Sequence, residues 1–139
     1  MSVNVYMTFK GQAEEAMNFY AQALGTDKPD LMYYKDMPED PNFPVPEEAK
    51  NLIMHGSITF NGQYIMFSDV MPNQPFNKGN NMSILIDLDD ENDLKRYYDN
   101  LLDGGQIQMP FGPTFWAKAF GSLIDKYGIE WQFNSSLDE

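Results

Sequence analysis

An α+β fold made of two tandem modules is the architecture this sequence predicts, and three observations predict it. A strand–helix–strand–strand–strand order is legible twice along the chain. The matching landmarks, Asn4 to Gly25 and Ser83 to Gly104, are separated by the same interval of about 80 residues, as a tandem duplication gives. Between them lies VMPNQPFNKGNN, residues 70–81, a run of turn-forming residues that reads as a linker. Module 1 then covers about residues 1–69 and module 2 about 82–135, in a single domain of 139 residues.

Each element has a local reason. In VNVYMTF, Val3, Val5, Met7 and Phe9 share one face and Asn4, Tyr6 and Thr8 the other, the period of a strand. A helix follows, with Glu14 and Glu15 in a first turn that suits the dipole. Its apolar stripe is Ala13, Ala16, Met17, Tyr20 and Leu24, and Gly25 is placed to end it. DLMYYKDM, residues 30–37, reads as the second strand. From Asp36 to Lys50 the prolines 38, 41, 44 and 46 exclude regular structure and predict a loop or lid. IMHGSITF alternates again, with His55, Ser57 and Thr59 opposed to Met54, Ile58 and Phe60. Asn61-Gly62 then signals a hairpin into QYIMFSD. Asp69, closing that strand, suits a turn or cap better than a catalyst.

The second module restarts with MSILIDL. A helix follows, opened by Asp89 and Asp90 and striped by Leu94, Tyr97, Tyr98, Leu101 and Leu102. Gly104-Gly105 stops it. QIQMPF, the stretch around WAKAFGSLI, and IEWQF give three further strands. In the last hairpin Gly128 suits the left-handed position of a three-residue loop. That register pairs Trp131 with Leu123, Gln132 with Ser122 and Glu130 with Ile124. Trp131, Ile129 and Phe133 are then expected to pack on a helix, with Gln132 and Glu130 on the other face. The methionines at 32, 37, 54, 66, 71 and 109 are expected mostly to fill the core.

Composition narrows the function. The chain is 42% hydrophobic and 14% aromatic, which suits an ordered globular protein. Its net charge of −12, with 9 basic residues, would repel a phosphate backbone or an anionic membrane, so neither is an expected partner. Cys 0 excludes disulfides and thiol chemistry. No apolar run reaches the roughly 20 residues of a membrane helix, and MSVNVYMTF lacks the basic start of a signal peptide. A cytoplasmic location is the expectation.

Several motifs keep their order across nearly the whole chain. They are F-x-G-x-A-E-E-A-x-x-F-Y at Phe9–Tyr20, M-H-G at Met54–Gly56 and F-S-D at Phe67–Asp69. Gly104-Gly105, Phe115-Trp116 and D-K-Y-G-x-x-W-Q at Asp125–Gln132 complete the set. Together they resemble the vicinal oxygen chelate superfamily of glyoxalases, extradiol dioxygenases, and bleomycin- and fosfomycin-resistance proteins, and within it the PhnB-like branch. Ala117 departs from the glycine usual there. The resemblance implies paired βαβββ modules whose mixed sheets curve into a cup with helices on the outer face. It also implies a homodimer. Some relatives carry a ubiquinone-pathway methyltransferase label, but no Gly-rich loop follows a strand here to hold a nucleotide-like cofactor.

The metal enzymes of that superfamily hold a divalent ion with His, Glu or Gln on the first and last strands of each module. The corresponding positions are Asn4, Ser83 and Gln132, with Met66 or Ser68 at the end of module 1. Such neutral groups are weak ligands, and the chain has a single histidine, so no catalytic metal and no cofactor are expected. Two residues carry acid–base potential. His55 is placed on the cup face, where the alternative role is tying strands together. Glu130 shares the direction of Gln132, where the alternative is a solvated rim position.

The expected ligand face comprises Asn4, Tyr6, Thr8, His55, Ser57, Ser83, Phe115, Trp116, Lys118, Phe120 and Gln132. Its aromatics suit either a cavity wall or a core or dimer contact, and Lys118 either an anionic ligand or solvent. The expectation is therefore a metal-free protein holding a small, partly aromatic molecule. A metal-dependent or acid–base lyase, isomerase or dioxygenase using His55 and Glu130 is the second reading, and a dimeric scaffold with a filled cup the third.

Overall fold

A computed structural model describes residues 1–138. The chain divides into two compact units, Met1–Phe76 and a second beginning at Asn77, with the division inside the segment expected as linker. The first unit holds β1 (Val5–Phe9), α1 (Ala13–Leu24), β2 (Asp30–Tyr33), β3 (Ile53–Phe60) and β4 (Gln63–Asp69). The second holds β5 (Ile84–Asp87), α2 (Glu91–Leu102), β6 (Gln106–Gly112), β7 (Ala117–Ile124) and β8 (Glu130–Ser136).

Both units use one topology. The sheet orders are β1-β4-β3-β2 and β5-β8-β7-β6, and both sheets are open. The first and last strands of each module run parallel, whereas the remaining pairs are antiparallel. The fold is thus α+β with two tandem modules, each a four-stranded mixed sheet with one helix.

Helix α1 buries its whole predicted stripe, whereas α2 buries Leu94, Tyr98 and Leu101 and leaves Tyr97 and Leu102 half-buried. Ala13, Ala16, Met17, Tyr20 and Leu24 of α1 are buried, and Tyr20 stacks on Phe67, which stacks on Phe9, at 5.7 and 5.8 Å between ring centroids. In the second unit Tyr98 meets Phe133 edge-on at 5.2 Å. Gly56 shows how close the helix approaches. A Cβ there would stand 2.6 Å from the Met17 sulfur, so any larger residue would displace the Met17 side chain where α1 crosses β3.

The two helices are capped differently. Asp90 caps α2 from its own N-cap position, accepting hydrogen bonds from the backbone N–H groups of Asn92 and Asp93. Gln12, at the same position before α1, makes no such bond. Asp69 supplies it from the end of β4. Its Oδ1 accepts from the Ala13 N–H and its Oδ2 from the Ile53 N–H, each at 3.0 Å. The Tyr34 hydroxyl donates to the Asp69 carbonyl at 3.0 Å. Burial, followed by the Asp69 charge, raises the Tyr34 pKa and keeps that donor protonated. In the second unit the strand end equivalent to Asp69 is Ser135, which follows Asn134, the partner of Asp87, and its buried hydroxyl donates to the Asp89 carbonyl. Equivalent strand ends therefore both reach the helix start, but a carboxylate reaches it from the strand end only in the module without a local cap.

Asp125 organises the last hairpin. Its Oδ1 accepts from the Tyr127 and Ile129 N–H groups at 2.8 and 3.1 Å, and its Oδ2 from the Trp131 indole at 2.8 Å. Gly128 adopts φ 86°, the left-handed conformation expected. The pairs Leu123–Trp131, Ser122–Gln132 and Ile124–Glu130 form in the expected register.

Three expectations need correction. The strand expected over 30–37 stops at Tyr33, where a bulge begins and Tyr34–Asp36 turn into a 3-10 helix; the Asp36 carboxylate accepts the Tyr33 N–H. The proline-rich segment contains one regular turn, Glu47–Ala49, entered through Pro46. None of the six methionines named as filler is in the buried core, which uses Met7 and Met17 instead. Met32 and Met66 fall on strand positions facing away from the helix.

Replacing Asp69 with alanine removes a helix cap and strands a buried N–H at Ile53. The expected loss is about 2–4 kcal/mol. Urea unfolding checks it, with Asp27→Ala, an exposed change away from both caps, expected to alter stability by less than about 0.5 kcal/mol.

Candidate functional site

Helix coverage defines two candidate faces, one on the uncovered side of each sheet. In the first unit Gly56 and Ile58 face α1, so alternation turns His55, Ser57 and Thr59 the other way. Tyr6 and Thr8 of β1, Tyr64, Met66 and Ser68 of β4, and Asp30 and Met32 of β2 join them. Tyr6, Met66, Ser57 and Asp30 form one continuous row across the strands. The Tyr6 and His55 rings lie 6.0 Å apart, and Tyr6 is 51% exposed. Asn4 stands just before β1 and bonds Ser2 through its side chain.

The equivalent row of the second unit is Leu85, Gln132, Ser122 and Met109. Gln132 therefore corresponds to Met66, which selects between the two positions left open at the end of module 1. The Gln132 amide donates to the Ser83 hydroxyl at 2.9 Å. Around this pair the Gln108 amide donates to Glu130 at 3.3 Å, and Asn134 meets Asp87 at 3.5 Å. Phe120 lies on the same face, with Trp116 edge-on to it at 5.4 Å. Phe115 and Trp116 belong to the connection before β7, and Phe115 is 90% exposed. Lys118 approaches Asp138 at 3.7 Å. Ala117 is buried where β7 begins, and its N–H bonds the Thr114 hydroxyl at 3.1 Å.

Within the first unit the fold thus brings Tyr6, Thr8, His55 and Ser57 onto one sheet face. Within the second it groups Ser83, Gln132, Glu130, Phe120 and Lys118. Asp30, Met32, Met66 and Leu85 share these faces and were not singled out as ligand-facing from the sequence. Period-two alternation within their strands is the signal that finds them.

The donor set does not fit a catalytic divalent ion. Ser83 and Gln132 satisfy one another, and the position matching Gln132 holds a methionine thioether, a poor partner for a hard cation. Among the described residues no group of three or more His, Cys, Asp or Glu converges on a common point. A nucleotide-like cofactor fits no better at the strand-to-helix turns. The helix N-termini that would receive its anionic groups are already capped by Asp69 and Asp90. Among the described residues no helix is long and apolar enough to cross a membrane.

Duplicated βαβββ modules with these motifs define a PhnB-like protein, and the fold is shared with the fosfomycin resistance protein FosX from Listeria monocytogenes, at TM-score 0.58 and 9% identity. The chain belongs to the family described as 3-demethylubiquinone-9 3-methyltransferase, whose model matches residues 2–134. It is 30% identical over 144 residues to Protein YjdN of Escherichia coli strain K12, covering 96% of this chain and 95% of that protein. Among solved structures it is similar to protein PA1353 from Pseudomonas aeruginosa, with TM-score 0.86 and 32% identity over 99% of both chains. It is also similar to a putative 3-demethylubiquinone-9 3-methyltransferase, PhnB protein, from Bacillus cereus. There the TM-score is 0.75 and identity 31%, over 98% of this chain and 100% of that one.

The donor chemistry makes a direct prediction. Calorimetric titration of untagged protein with Mn²⁺ or Ni²⁺ is expected to reveal no saturable site in the micromolar range. A stoichiometric micromolar site would overturn the reading of Ser83, Gln132 and Met66 as non-ligating.

Proposed function

We propose that this protein binds a small, partly aromatic molecule on the uncovered sheet faces, without a catalytic metal. The observation that carries the reading is the composition of those faces. Exposed rings and flexible apolar groups surround a few hydrogen-bonding side chains, the mixture typical of ligand sites. Tyr6 and His55 supply neighbouring rings, Thr8 and Ser57 hydroxyls, and Phe120 with Trp116 a second aromatic pair. Ser83 and Gln132, joined by one hydrogen bond, retain a hydroxyl proton and an amide oxygen to offer a ligand. Asn4, Phe115 and Lys118 line the margins. In this reading the protein works as a cytoplasmic homodimer.

The methyltransferase description of the family is not carried to this chain as an activity, because both helix N-termini are engaged by carboxylates. His55 contributes ring surface and hydrogen bonding, and Glu130 holds Gln108 in place.

A metabolite screen by thermal shift tests the proposal. A ligand at about 100 times its Kd adds about 2.7 kcal/mol, which raises the melting temperature by on the order of 5 °C or more. Tyr6→Ala and Gln132→Ala are expected to reduce that shift while leaving the unliganded melting temperature within about 2 °C. A ligand consumed during the assay, with turnover abolished in His55→Ala, would replace binding by catalysis. Crystals in which side chains of the chain itself fill both faces would support a scaffold.

A further inference from the structure

The charge pattern of the first face specifies the class of its ligand, an inference that rests on the binding reading above. The face presents Tyr6 and Tyr64, which are 51% and 52% exposed, together with His55, Met32 and Met66. Across the row from Tyr6, through Met66 and Ser57, stands Asp30. Among the described residues the Asp30 carboxylate has no hydrogen-bond or ion-pair partner, and the side chain is exposed. No Lys or Arg occupies a described position of this face. An aromatic ring attracts a cation over its π face, and an adjoining carboxylate adds attraction of the same sign. The net charge of −12 extends the same bias to longer range.

We propose that this face selects an organic cation, with the aromatic part of the ligand on Tyr6, His55 and Met66 and its ammonium or amidinium end towards Asp30. The spacing is consistent with one small molecule. Tyr6 and Asp30 are on the outer strands of the four-stranded sheet, three strand spacings of about 4.8 Å apart. A fused two-ring system with a short cationic arm spans most of that width. An anionic ligand would meet the Asp30 charge and find no Lys or Arg here to offset it. The second face differs. Its charged groups are Glu130, Asp87 and Lys118, and Lys118 already approaches Asp138.

Three probes that share a naphthylmethyl group and differ in the charge of its substituent test this by calorimetry on the full chain at low ionic strength: naphthylmethyl-trimethylammonium, naphthylmethanol and naphthylmethanesulfonate. The cation is expected to bind about tenfold more tightly than the alcohol, and the sulfonate more weakly than either. Asp30→Asn is expected to remove most of the advantage of the cation over the alcohol and leave alcohol affinity within about twofold. Tyr6→Leu, which retains apolar area without the ring, should weaken the cation more than the alcohol. Both positions are exposed, and circular dichroism of each variant should match the parent.

Equal affinities for cation and alcohol would overturn the charge selection and leave the binding proposal standing. A preference that survives Asp30→Asn would overturn the assignment to this face. Binding of none of the three probes at millimolar concentration would overturn both proposals.

Discussion

A twelve-residue helix can cover one face of a four-stranded sheet and no more, and this limit governs each unit of the protein. Each module has a single such helix, placed between two strands that pair in parallel with or flank the others. The helix buries one set of alternating side chains. The other set is left without cover from its own module, so what a module can recognise is decided by every second residue of its strands. The close approach at Gly56, the rings of Tyr20 and Phe67, and the burial of Trp131 all belong to the covered side. Tyr6, His55, Gln132 and Phe120 belong to the other.

Holding the helix in place is a matter of polar satisfaction as well as apolar burial. A helix start leaves backbone N–H groups unpaired, and burying them without partners costs more than the bonds themselves gain. The two modules meet that need from different directions. Asp90 caps α2 locally, whereas Asp69 reaches α1 from the carboxyl end of the parallel strand pair and also takes the Ile53 N–H. Asp69 thereby joins the helix, β3 and β4. Asp125 does comparable work in the last hairpin, where one carboxylate sets the turn and satisfies the Trp131 indole. These acids are structural, although acids near strand ends are the first residues a search for catalysis would consider.

Much of the candidate site was legible because strands have a period of two. Alternation placed Tyr6, Thr8, His55 and Ser57 together, and the hairpin register placed Gln132 opposite Ser122. Legibility failed where the period breaks. Phe115 and Trp116 precede β7, so alternation says nothing of their direction. The bulge at Met32–Tyr33 ended a strand that composition alone would have continued. Methionine is hard to place for a different reason. Its side chain suits both a core and an adaptable exposed surface, so residue type does not separate the buried Met17 from the exposed Met32.

Sequence by itself determined the duplication, the element order, the stripe of α1 and the final hairpin, because each depends on spacing along the chain. It also determined that neutral side chains stand at Asn4, Ser83, Met66 and Gln132, since side-chain identity alone decides that. Tertiary structure decided which residues are neighbours across strands. The union of Gln132 with Ser83, the match of Gln132 to Met66, the reach of Asp69 to α1 and the row from Tyr6 to Asp30 all depend on register. Register joins positions tens of residues apart through hydrogen bonds between strands, and no local pattern specifies which position meets which.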